Sequence, residues 1–105
     1  MSLLDKQTRF IYLVRAELNE SAPEREWNAW YDEKHVPELL TVPGFRSADR
    51  FRDLQNPRRY LAAYEIDNPE VFEEQRYGEV TGWSEWQPHV RSWDRAVYEI
   101  RRTDF

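Results

Sequence analysis

The stretch Arg9–Glu17, RFIYLVRAE, constrains the fold more than any other part of the chain. It reads as a strand, with Phe10, Tyr12 and Val14 on one side and Ile11 and Leu13 on the other. Both sides are apolar, so both need cover from water. One layer of helices shields one side only. A chain of 105 residues is expected to make one small domain, residues 1–105, with one core. Such a domain covers the second side by packing it on the sheet of another copy. The strand therefore predicts a homodimer joined through the open sheet face.

Composition narrows the classes of function. Sixteen residues are aromatic, five of them Trp, so rings carry much of the apolar burial. Lys and Arg total 15 against 20 Asp and Glu, a net charge of −5, which argues against a nucleic-acid partner. With no cysteine there is neither disulfide nor thiolate metal site. The two histidines, His35 and His89, lack HxxxH or HExxH spacing, so no metal site is expected. Three scattered glycines make no phosphate loop, and no nucleophile-elbow motif occurs. No apolar run reaches about 18 residues and no signal-peptide core is visible, so no membrane association and a cytoplasmic location are expected.

Along the chain, Ser21–Glu24 has the form of a capping box with Ser21 as N-cap, opening a helix that runs to about Leu40 and is stopped by Pro43-Gly44. Arg46–Leu54 reads as a more polar strand near an edge, and Gln55-Asn56-Pro57 as a turn. Arg59–Ile66 is a third strand, with Tyr60, Ala62, Tyr64 and Ile66 on one face. Asn68-Pro69 starts a second helix that runs to about Tyr77, with Gly78 as its C-cap. Glu79–Val90 reads as loop plus a short helix, and Ser92–Arg101 as the fourth strand. The order β-α-β-β-α-β predicts a ferredoxin-like α+β fold: a four-stranded antiparallel sheet with helices on one face.

The first helix holds the main candidates. Trp27, Tyr31, His35 and Leu39 recur every four residues and form one row, which is expected to face the sheet. Asn28 lies a quarter-turn away, on the His35 side. Pro37 lacks the N–H that would bond the Glu33 carbonyl, so a kink is expected after His35, with Val36 pushed out of helical geometry. Such a kink opens space between helix and sheet beside the imidazole. An imidazole has an ordinary pKa near 6.5, suited to acid–base work; an inward histidine also packs simply as a hydrogen-bonded core residue. Tyr31 and Asn28 carry the same two readings, core or solvent against site. His89 reads as a surface residue. Trp83 and Trp86 read as pocket wall or core plug, and Arg50 and Arg52 as anion holders or solvated strand charges.

The pattern Trp30-Tyr31-Asp32, His35-Val36-Pro37-Glu38 and Val42-Pro43-Gly44-Phe45 resembles the EthD-like branch of the dimeric α+β barrel superfamily, as does the Trp83–Trp93 segment with Pro88-His89. The resemblance covers Phe10 to about Tyr98. It implies a dimeric α+β barrel in which each protomer has a pocket between sheet and helices, and it places the histidine of the helix motif at His35. Members of the superfamily include cofactor-independent monooxygenases, lactone isomerases, polyketide cyclases and haem proteins. An Asn-His-Trp set at haem-type spacing is not matched here, so no cofactor is expected. The resulting expectation is a cofactor-free enzyme acting on an aromatic or lactone-like small molecule. His35 would be its general acid or base and Tyr31 would orient the substrate. Asn28 would add a hydrogen bond, with Trp27, Trp83 and Trp86 as aromatic walls. A non-catalytic ligand-binding or stress-associated dimer is the competing expectation, and a dimer with no pocket a third.

Overall fold

The structure, a computed structural model, describes residues 4–102; residues 1–3 and 103–105 of the expected domain lie outside the described residues. Strands β1 (Phe10–Leu18), β2 (Phe45–Arg52), β3 (Arg59–Ile66) and β4 (Val90–Glu99) form one antiparallel sheet in the order β2-β3-β1-β4. Helices α1 (Glu24–Trp30) and α2 (Val36–Leu39) lie between β1 and β2, and α3 (Gln75–Val80) between β3 and β4. This is the ferredoxin-like α+β fold.

Residues paired directly across antiparallel strands share a face. Tyr12 pairs with Tyr64 and Val14 with Ala62, and these side chains are buried together with Ala16, Leu18, Tyr60 and Ile66. That face carries the core, closed by Trp27, Tyr31, Leu39, Val71, Tyr77 and Val80 from the connecting segments. Burying a large apolar side chain stabilises the fold by about 1.5–3 kcal/mol, so the helix row and the sheet hold each other in place. The opposite face presents Ile11 and Leu13 beside Ala63, Ala96 and Tyr98. Tyr98 is 53% exposed there, and Phe51 38%. Residues 5–8 cross one end of this face. The Asp5 amide and the Thr8 and Ser47 hydroxyls donate to the Glu65 carboxylate.

Several sequence expectations need correction. Ser21 does not cap α1: the N-cap position is Pro23, and no side chain bonds back to the helix start. Glu24 is instead engaged by the Tyr60 hydroxyl and by Arg58 at 3.3 Å, contacts across the fold that replace the capping box. Pro37 does not push Val36 out of helical geometry; Val36 has φ −62° and ψ −49°. The helix absorbs the proline by changing hydrogen-bond register. Tyr31–His35 forms a π-helical turn in which the Val36 N–H donates to the Tyr31 carbonyl. The second helix splits into a 3₁₀ turn, Pro69–Glu73, and α3, which runs through Gly78 to Val80, so Gly78 is not a C-cap. Asn68 does cap the 3₁₀ turn, its side chain accepting from the Glu70 N–H at 3.0 Å.

Candidate functional site

The π-helical turn decides where the helix row points. In an α-helix four residues overshoot one full turn by about 40°, so a long i, i+4 row drifts off its face. A wider π turn corrects that drift between Tyr31 and His35. Trp27, Tyr31, His35 and Leu39 are consequently all buried against the sheet.

The His35 imidazole stacks on the Trp30 indole at 4.6 Å and meets the edge of Tyr31 at 5.1 Å. It is 6% exposed. It makes no hydrogen bond to another described residue, unlike a satisfied core histidine. Burial pushes its pKa down to about 4, with the Glu38 charge opposing and the Arg50 charge assisting. The ring is therefore neutral at pH 7. Burial also pushes the Tyr31 phenol up to about 12, against the influence of Tyr64 and Arg50. The Tyr64 phenol is raised as well, by burial first and then by its interaction with the neighbouring Tyr31.

His35, Tyr31 and Tyr64 line one cleft together with Tyr12, Tyr77, Trp83, Trp93 and Arg95. Leu39, Thr81 and Gly82 shape its rim. Its enclosed space is about 50 Å³, and about 400 Å³ with the open mouth included. The enclosed part has room for a few waters, each needing roughly 10–15 Å³ of such space. A larger guest has to extend into the mouth under β4. A wider groove of about 300 Å³ crosses the open sheet face. Its charges already pair there, Arg15 with Asp94 at 2.7 Å and Arg59 with Glu17 at 3.2 Å, and it is distant in character from any acid–base chemistry.

Of the candidates named from sequence, His35, Tyr31 and Trp83 reach the cleft. Asn28, Trp27 and Trp86 are not among its lining residues. Asn28 donates to the Tyr60 hydroxyl at 3.1 Å and accepts from Arg50 at 2.9 Å. Trp27 is fully buried, in contact with Trp83 at 5.2 Å and Trp86 at 6.2 Å. Arg50 neither binds solvent freely nor enters the cleft. Its guanidinium lies 4.1 Å from the Tyr31 ring centre and bonds Asp32 at 2.8 Å, clamping helix to sheet. His89 is half-buried beside Trp86 at 5.3 Å. Sequence reasoning missed Arg95, Trp93, Tyr12 and Tyr77 as lining residues. The signal existed in β4: Trp93 and Arg95 alternate, and pairing with Ala16 and Val14 turns both to the helix side. Among the described residues no group of acidic and histidine side chains could hold a metal ion, and no helix is long and apolar enough to cross a membrane.

The fold has well-populated structural company. The chain superposes on a cofactor-independent oxygenase, SnoaB of Streptomyces nogalater, with a TM-score of 0.71 at 13% identity, covering 91% of this chain and 96% of the other. A monooxygenase from the gene ActVA-Orf6 of Streptomyces coelicolor, solved with the ligand nanaomycin D, gives 0.70 at 13% identity, covering 96% and 95%. A dimeric ferredoxin-like protein from an uncultured marine organism gives 0.71 at 11% identity, covering 94% and 93%. At such identities the likeness establishes the fold alone. No curated protein matches the chain in sequence. A family model described as a domain of unknown function, DUF4286, matches residues 9–93. Since that match spans most of the chain, strand β1 through the Trp93 of β4, the protein belongs to the DUF4286 family.

Proposed function

We propose that the protein is a homodimeric, cofactor-independent enzyme on an aromatic or lactone-like small molecule, of isomerase, cyclase or monooxygenase type. The step common to these is proton transfer next to a carbonyl. Neutral His35 accepts the proton, and the Tyr31 hydroxyl orients the substrate and donates to the developing oxyanion. Returning the proton to a different atom completes an isomerisation. Attack of the carbanion on an electrophile closes a ring, and in a monooxygenase the carbanion would react with dioxygen as co-substrate. Trp83 supplies the aromatic wall, Trp27 and Trp86 back it, and Asn28 steadies Arg50 over Tyr31. The observation that carries the reading is a buried imidazole without a hydrogen bond, facing a cleft beside two protonated phenols. The helix motif that resembles the EthD-like branch puts its histidine at this position. A pKa near 4 makes a weak base at pH 7, and negative charge arriving on the substrate strengthens it.

The test is His35→Ala with a substrate found by thermal-shift screening of aromatic and lactone compounds. Turnover should fall by about 10²–10⁴ while ligand affinity changes little. Unchanged turnover would remove His35 from the chemistry. The small enclosed space favours a second reading, a ligand-binding dimer without turnover. It predicts binding of the same compounds with no product formed by the wild type.

A further inference from the structure

The cleft carries a single permanent cation, on β4. Arg95 is among the lining residues, and none of those residues is acidic. No carboxylate among the described residues pairs with Arg95. Its guanidinium donates to the Tyr77 hydroxyl at 2.9 Å and lies 5.8 Å from the Phe72 ring centre. Tyr77 is in turn 3.2 Å from the Tyr12 hydroxyl. The two phenols and the ring hold the guanidinium in one orientation, yet β4 leaves the residue exposed. In a chain of net charge −5, an arginine without a carboxylate partner in a cleft lined by no acidic residue sets a positive charge against the overall negative balance. In the same cleft the Trp83 indole N–H is buried with no hydrogen-bond partner, and the Tyr64 hydroxyl is buried beside Tyr31. Buried polar groups are normally satisfied, and a bound ligand is one of the things that satisfies them.

We propose that the cleft selects a planar guest carrying one anionic oxygen group. The carboxylate or phenolate is held by Arg95 at the mouth, and a neutral oxygen of the same guest reaches Tyr64 and Trp83 inside. The ring lies against the Trp83–Trp93 pair, whose indoles touch edge to face with centres 5.6 Å apart, and Trp93 is half exposed at the opening. Arginine suits this role because its fork of donors matches a carboxylate in two parallel bonds. The inference rests on the reading above that this cleft is the ligand site, and it adds the charge of the ligand.

The experiment compares 2-hydroxybenzoate with 2-hydroxybenzamide, which keeps the ring and hydroxyl but is uncharged. Calorimetry gives their affinities for the wild type, Arg95→Gln and Arg95→Lys, and NMR follows the His35 ring signals. The acid should bind the wild type at least about tenfold more tightly than the amide. Arg95→Gln should abolish that preference without weakening the amide, and Arg95→Lys should restore part of it. The acid, and not the amide, should raise the pH at which His35 titrates. Equal affinities in the wild type, or a preference that survives Arg95→Gln, would overturn the anion assignment. If the amide perturbs the His35 ring signals at fixed pH in that case, the cleft remains a ligand site for neutral guests. If neither compound perturbs those signals, the anion assignment and the placement of the ligand beside His35 fall together.

Discussion

His35 is held neutral by its surroundings, and this makes the fold sensitive to acid. Above an ordinary imidazole pKa of 6.5 the ring is uncharged in both folded and unfolded chains and contributes nothing to the difference. As pH falls from 6.5 towards 4, the unfolded chain binds a proton that the native site refuses, and stability drops. The full loss corresponds to about 3 kcal/mol, at 1.36 kcal/mol per unit of pKa. His35→Phe should remove this part of the acid sensitivity. Urea midpoints for the two proteins from about pH 7 to about pH 4.5 will show it. Equal losses in both would mean that carboxylates, not His35, set the acid limit. The burial behind this effect was legible in the sequence, because a four-residue row of Trp27, Tyr31, His35 and Leu39 points to a sheet-facing stripe. The absence of a hydrogen bond on the imidazole was not legible, since it depends on where Tyr64 and Trp83 arrive from other elements.

Among the elements, β3 could be read residue for residue, since its alternation of Tyr60, Ala62, Tyr64 and Ile66 serves a single buried face. The π-helical turn could not be read. No local residue type codes for it, and it arises because Pro37 must be accommodated while His35 stays on the core side. The alternation of Trp93 and Arg95 was visible, but the face they take was not, because the facing of β4 follows from its register on β1, a long-range pairing. The stop after α2 was plain in Pro43-Gly44, and the structure shows why glycine is required. Gly44 has φ +93°, a conformation that side-chain-bearing residues rarely adopt, and a Cβ there would collide with Val71 Cγ1. Gly44→Ala should therefore destabilise the protein by about 2–4 kcal/mol, seen as a lowered urea midpoint. A loss under about 0.5 kcal/mol would show that the α2–β2 turn and Val71 yield easily.

For the molecule as a whole, no helix among the described residues covers the sheet face bearing Ile11, Leu13 and Leu61. Under the proposed dimer, this face meets its own copy. Leu13 sits at its centre, paired with Ala63 on one side and Ala96 on the other. Leu13→Glu should convert a dimer to a monomer in sedimentation velocity at micromolar concentration while leaving the Tyr31–His35 side folded. A wild type that already sediments as a monomer would sink the barrel arrangement. One further property follows from the ring packing. All five indoles form a connected array from Trp30 and Trp27 through Trp83 and Trp86 to Trp93, with neighbouring centres 5.2–6.2 Å apart. At such spacings excitation absorbed by one passes to the others before it is emitted. The ultraviolet emission of this protein is thus the glow of one shared antenna, and a molecule that quenches Trp83 dims all five at once.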